Sequence, residues 1–145
     1  MKPDRIIQRI AEWVQNRPEI QAAALVGSQA RGMARPESDI DLVLLVTAPE
    51  TFKLDVGWLH EINWGVIGTR PTLWVDEDYG ALWSRRLWLE PDGDEIEFGF
   101  ALPAWAETRR IDPGTRRVIA DGCRILHDPQ GLFSRLCIAV CEQVA

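Results

Sequence analysis

Apolar positions recur at helical spacing at the start of the chain, where Ile6, Ile7, Ile10, Trp13 and Val14 share one side of a helix predicted over residues 4–16. Pro18 stops it. Two nearly continuous apolar runs follow at 20–28 (IQAAALVGS) and 38–47 (SDIDLVLLVT). Both predict strands, and the second, apolar on both faces after its acids, predicts a buried strand rather than a solvated edge. Between them, Gly32 and Pro36 punctuate a turn or short helix over 29–36.

The middle of the chain reads as an irregular helix over 51–65, with Phe52, Leu54, Trp58, Leu59 and Ile62 as its apolar face, and then a strand at 71–76. Runs at 86–89 and 95–100 flank Asp92-Gly93, a pair that tolerates the positive φ of a tight turn and so predicts a hairpin. In the second run Ile96, Phe98 and Phe100 alternate with Glu95 and Glu97, so the acids take the face opposite the aromatic contacts. Residues 115–122 predict a helix, 123–126 a short extended piece, and the tail a helix opening at Asp128-Pro129 with an apolar stripe from Leu132 to Val144. Together these elements predict an α/β (α+β) domain: a mixed sheet of about five strands, with helices on one face. No repeat or linker interrupts it, so residues 1–145 are read as a single domain.

Composition narrows the functional classes. A chain of 145 residues, 46% hydrophobic and 26% charged, has the balance of a soluble globular domain. No apolar run reaches the roughly 20 residues that cross a bilayer. The N-terminus carries acidic residues and no small-residue cleavage site, so no membrane association and a cytoplasmic location are expected. Sixteen basic against 22 acidic residues give a net charge of −6. That sign disfavours long nucleic acids, whose binding rests on Lys and Arg replacing counterions, and favours a small or cationic partner. The pairs Arg85-Arg86, Arg109-Arg110 and Arg116-Arg117 read as solvated faces. Cys123, Cys137 and Cys141, an odd number in an apolar tail, read as reduced, buried thiols.

The chemistry concentrates in GSQARGMARPESDIDL, residues 27–42. Asp39 and Asp41 are i and i+2 in an extended run, so both carboxylates look the same way, roughly 6 to 7 Å apart along the backbone. At that distance two like charges repel by on the order of 2 to 3 kcal/mol at an effective dielectric near 20. A divalent cation removes the penalty, and hard oxygen ligands suit Mg²⁺ or Mn²⁺. Upstream, Gly27 and Ser28 end an apolar segment with a small residue and a hydroxyl, a pairing that lets backbone N–H groups approach a phosphate. The plain alternatives are a solvated strand end for the aspartates, a turn hydroxyl for Ser28 and a surface charge for Arg31. The seven tryptophans offer rings on which a base or sugar could stack, though packing is the default for most.

A strand ending in Gly27-Ser28, a turn carrying Arg31-Gly32, and Ser38-Asp39-Ile40-Asp41 together resemble the signature of the DNA polymerase beta-type nucleotidyltransferases. The likeness is to the small stand-alone members and the aminoglycoside adenylyltransferases, and it runs from about residue 22 to residue 100. Many members carry Arg where this chain has Gln29. The resemblance implies the nucleotidyltransferase fold, with a catalytic core at about 20–100 and C-terminal helices at about 108–145. It implies that Asp39, Asp41 and Glu97 are the catalytic and metal-binding acids, with Glu95 the competing choice for the third. Gly27, Ser28, Arg31 and Ser38 would hold the phosphates of ATP or another nucleoside triphosphate. The implied reaction transfers AMP to a hydroxyl of a small molecule, an aminoglycoside-like one included. The short tail after Glu97 leaves room for two helices, so a second subunit or a helical protein partner could complete the acceptor pocket. Two further readings are an antitoxin-type enzyme that AMPylates a partner HEPN-type toxin, and a nucleotide-binding protein without turnover.

Overall fold

The computed structural model describes residues 2–32 and 39–144. Among them, 11 helices and strands follow the order α1 (Lys2–Gln15), β1 (Ile20–Val26), α2 (Ser28–Arg31), β2 (Ile40–Val46), α3 (Pro49–Leu54), β3 (Arg70–Asp78), β4 (Leu82–Glu90), β5 (Asp94–Ala101), α4 (Pro113–Ala120), β6 (Cys123–His127) and α5 (Leu132–Val144). Short 3-10 turns at Val56–His60, Trp64–Ile67 and Pro103–Ala106 fill the connections. The strands form one mixed sheet in the order β3-β4-β5-β2-β1-β6. β2 and β5 run parallel, and every other neighbouring pair is antiparallel.

The sheet has six strands rather than about five, because the short extended piece after Gly122 pairs with β1 and becomes an edge. Helices cover both faces, not one. Alternate residues of β2 divide between two cores: Ile40, Leu42 and Leu44 pack with α1, Phe52, Trp58 and the β5 aromatics, while Val43 and Leu45 pack beneath Ile119, Phe133, Leu136 and Val140 of α4 and α5. Being covered on both sides is why β1 and β2 read as continuous apolar runs.

The helix expected over 51–65 is broken into α3 and two 3-10 turns, because its backbone carbonyls are claimed by indoles. Trp58 Nε1 donates to the Phe52 carbonyl at 2.7 Å, and Trp64 Nε1 donates to the Leu59 carbonyl at 2.8 Å. The Asp55 carboxylate accepts from the Gly57 amide at 2.9 Å and starts the chain in a new direction. At the other end, α5 begins at Leu132 rather than at Asp128; the Asp128 carboxylate reaches forward to accept from the Phe133 and Ser134 amides, at 3.3 and 2.9 Å. The Asp92-Gly93 hairpin forms as expected, with Gly93 at φ 75°.

Most of the tryptophan content is core. Trp13 stacks on Trp58 with ring centroids 5.4 Å apart, and Trp83 on Phe100 at 4.7 Å. The pair Arg85-Arg86 is not a solvated face. Arg85 is 1% exposed; its guanidinium makes a two-pronged contact with Asp76, at 2.7 and 2.8 Å, and donates to the carbonyls of Phe52 and Lys53. It lies within 5.7 Å of the Trp58 ring and 5.3 Å of the Trp83 ring. A charge this buried is tolerated because its donors are matched. The thiols also depart from expectation, since Cys141 is exposed and Cys123 and Cys137 are half-buried; all three are free. No helix among the described residues is long and apolar enough to cross a membrane.

Candidate active site

Backbone register places the acids. In the parallel pair β2–β5, Asp41 stands opposite Glu97 and Ile40 opposite Ile96. The row extends in both directions, to Val26 on β1 and to Arg86 on β4. Because β5 alternates Ile96, Phe98 and Phe100 into the core, Glu95 and Glu97 take the other face, where Asp41 also lies. Asp39 sits one residue before β2, partly buried, and shares a hydrogen bond with Glu95 that raises the Glu95 pKa.

Asp41 carries the electrostatic strain of this arrangement. Burial first, then the charges of Glu97 and Asp39, push its carboxyl up to about 6, and Arg86 offsets only part of the effect. Arg86 is anchored on the acids: it donates to Glu97 at 2.9 Å and lies 3.8 Å from Glu95, and the bond to Glu97 raises its own pKa. In the sequence alone Arg86 reads as surface charge. Its alternation with the buried Arg85 and Leu87 on a strand beside Glu97 is the signal that could have found it.

Gly27 closes the site from the β1 side. Its φ of 75° favours glycine, and a Cβ there would come within 3.1 Å of Asp41 Oδ2. Its carbonyl accepts from the amides of Ala30 and Arg31, so the chain turns sharply into α2 with Ser28 as the first residue. Arg31, expected as a phosphate ligand, is the last residue of α2. Its guanidinium donates to the Asp121 carbonyl at 2.6 Å and ties α2 to the end of α4. Gly122 permits that packing: a Cβ there would lie 2.7 Å from Arg31 Cγ and 3.0 Å from the Gly27 carbonyl oxygen. Ser38, also expected here, lies outside the described residues.

A cavity of about 440 Å³ opens beside Gly27, Asp41 and Glu97 and extends under α4 to Trp105, Thr115 and Val118. Among the described residues its charged lining is four carboxylates, Asp41, Glu97, Asp112 and Asp121, against the single guanidinium of Arg117. Asp112 is already engaged as the α4 cap, accepting from the Gly114 and Thr115 amides at 2.8 and 3.3 Å.

The donor chemistry of Asp39, Asp41 and Glu97 suits a hard divalent cation: three carboxylates, with the charged form of Asp41 disfavoured first by its burial and then by the other two. As they stand, no three His, Cys, Asp or Glu side chains among the described residues form a ready metal-binding group. Glu97 is engaged by Arg86 instead.

Residues 8–63 match the family model described as "Polymerase beta, Nucleotidyltransferase". The matched segment includes Asp39 and Asp41 and ends before Glu97. That segment, less than half of the chain, is similar to the polymerase beta-type nucleotidyltransferases, the likeness its motifs led one to expect, and it lies in a mixed sheet flanked by helices. A search of the curated proteins finds no match. A crystal structure of a toxin-antitoxin with AMP-PNP aligns over 94% of this chain and 85% of its own, at 16% identity and a TM-score of 0.44.

Proposed function

We propose that this protein transfers a nucleoside monophosphate, with AMP from ATP as the first choice, to a hydroxyl of a small cationic acceptor. The observation that carries the reading is the Asp41–Glu97 pair on adjacent parallel strands, beside a glycine turn and an acid-lined cavity. Asp39, Asp41 and Glu97 would hold Mg²⁺ or Mn²⁺, which when bound neutralises triphosphate charge and polarises the attacking oxygen.

The rest belongs to the chain. The turn at Gly27 and Ser28 leaves backbone amides free of bulky side chains where phosphate oxygens approach. Arg86 fixes Glu97 on its strand, so the carboxylate stays on the reacting face. A carboxylate in this group accepts the acceptor's proton as the hydroxyl oxygen bonds to the α-phosphorus and the bond to pyrophosphate breaks. The excess of carboxylates lining the cavity favours an amine-bearing acceptor, in keeping with the net charge of −6.

The test is pyrophosphate release from each nucleoside triphosphate with Mg²⁺ or Mn²⁺, run with amine-bearing polyols, with neutral polyols and with candidate protein acceptors, and read alongside mass addition to the acceptor. Release that depends on metal and is fastest with the amine-bearing polyols supports the proposal. Nucleotide binding without release under any acceptor would mean a nucleotide-binding protein; labelling of a protein alone would move the acceptor class.

A further inference from the structure

The sheet ends on β3, a nine-residue strand with its outer edge unpaired among the described residues. Long open edges are ordinarily blunted or covered, because their free amide and carbonyl groups invite another strand. This one carries Pro71 and the acids Asp76, Glu77 and Asp78 toward its ends, but its centre presents apolar side chains: Leu73 is 58% exposed and Val75 55%, on the face that also carries Arg86 and Trp88. α4 and α5, the helices on that face, pack over β1 and β2 at the far side of the sheet and leave this ledge uncovered.

We propose that β3 is a self-complementary edge that pairs antiparallel with β3 of a second copy, giving a twofold dimer with one continuous sheet. The sequence RPTLWVDED is built for it. With Trp74 at the dyad, Leu73 of each copy lies opposite Val75 of the other, and four exposed apolar side chains close over one another. The irregularity between Pro71 and Leu73 brings Arg70 onto the same face as Glu90, its partner at 3.1 Å on β4. Arg70 then meets the acidic end of the other copy's strand, where Glu77 shares its face. Asp76 adds no repulsion, since it turns to the opposite face and is bound by Arg85. Each charge contact occurs twice by symmetry. One strand pair and four apolar side chains make a small interface, which places the dissociation constant on the order of micromolar.

Sedimentation velocity over a concentration series tests this, with thermal melts as the control for folding. The full chain is expected to dimerise, and Val75→Lys to be monomeric with an unchanged melt. Arg70→Glu and Glu77→Arg should each weaken the dimer about tenfold, from two like-charge contacts apiece. The double variant should restore it. A protein that is monomeric at its highest soluble concentration overturns the proposal. So does a dimer that Val75→Lys leaves intact, or a double variant no tighter than either single one.

Discussion

Asp41 and Glu97 face each other across the one parallel strand pair of the described sheet, and Arg86 on the next strand holds Glu97 from behind. The arrangement makes Asp41 the costly member. Its carboxyl is raised from 3.8 to about 6. A raised carboxyl pKa means the folded state binds the proton more tightly than the unfolded chain, so folding stability falls as pH rises between about 4 and 6 and stays lowered above that range. The penalty is about 2 kcal/mol once partial solvent screening is allowed for. Asp41→Asn is therefore expected to melt several degrees higher than the parent at pH 7 without metal, to converge with it near pH 4, and to lose transfer by at least a hundredfold, roughly the scale of one charge-stabilising group. Melts across pH and a pyrophosphate assay check the two halves. Near-normal turnover by the Asp41→Asn variant would remove Asp41 from the chemistry.

Arg86 competes with any cation for Glu97. Replacing it by Gln should tighten Mn²⁺ binding severalfold, because one positive charge leaves a cluster of four acids, with Asp39 and Glu95 alongside Asp41 and Glu97. Calorimetric titration of the parent and Arg86→Gln with Mn²⁺ reads this directly. Equal affinities would show that the Arg86–Glu97 bond is not in competition with metal.

Arg85 serves the fold alone. Arg85→Met removes the partner of Asp76 and the donors to two carbonyls inside an aromatic cage, and should cost on the order of 3 to 5 kcal/mol in urea unfolding. Arg85→Met with Asp76→Leu should recover part of that loss, since a buried pair replaced together leaves no orphan charge.

Gly122→Ala reaches the site indirectly. The added methyl would meet Arg31 Cγ and the Gly27 carbonyl, both anchored backbone or packed side chain, at a φ of 136°. The expected loss is about 1 to 3 kcal/mol, with weaker triphosphate binding because the turn at Gly27 is pushed toward Asp41. Nucleotide titration beside a melt separates the two effects.

What the sequence made legible was what repeats along it. The apolar runs of β1 and β2, the Ile-Phe-Phe alternation of β5 and the Asp92-Gly93 turn are local patterns, and each formed. The motif also drew attention to Asp39, Asp41 and Gly27, which the fold brings near one another. The division of the middle segment into α3 and two 3-10 turns was not legible, because it depends on where the indoles of Trp58 and Trp64 find carbonyls. The burial of Arg85 and the anchoring of Arg86 depend on strand neighbours that no short window contains. The hydrogen bond from the Arg31 guanidinium to the Asp121 carbonyl likewise depends on the approach of α4, which no local motif spells out.

The parallel union of β2 with β5 sets the order in which this site comes into being. A hairpin brings its strands together early, but here the loop to be closed contains α3, β3 and β4, so the chain must give up considerable freedom before Asp41 and Glu97 can meet. An incompletely folded molecule holds the two aspartates without the glutamate, so under the proposed reading cation affinity would be a late reporter of having reached the native topology.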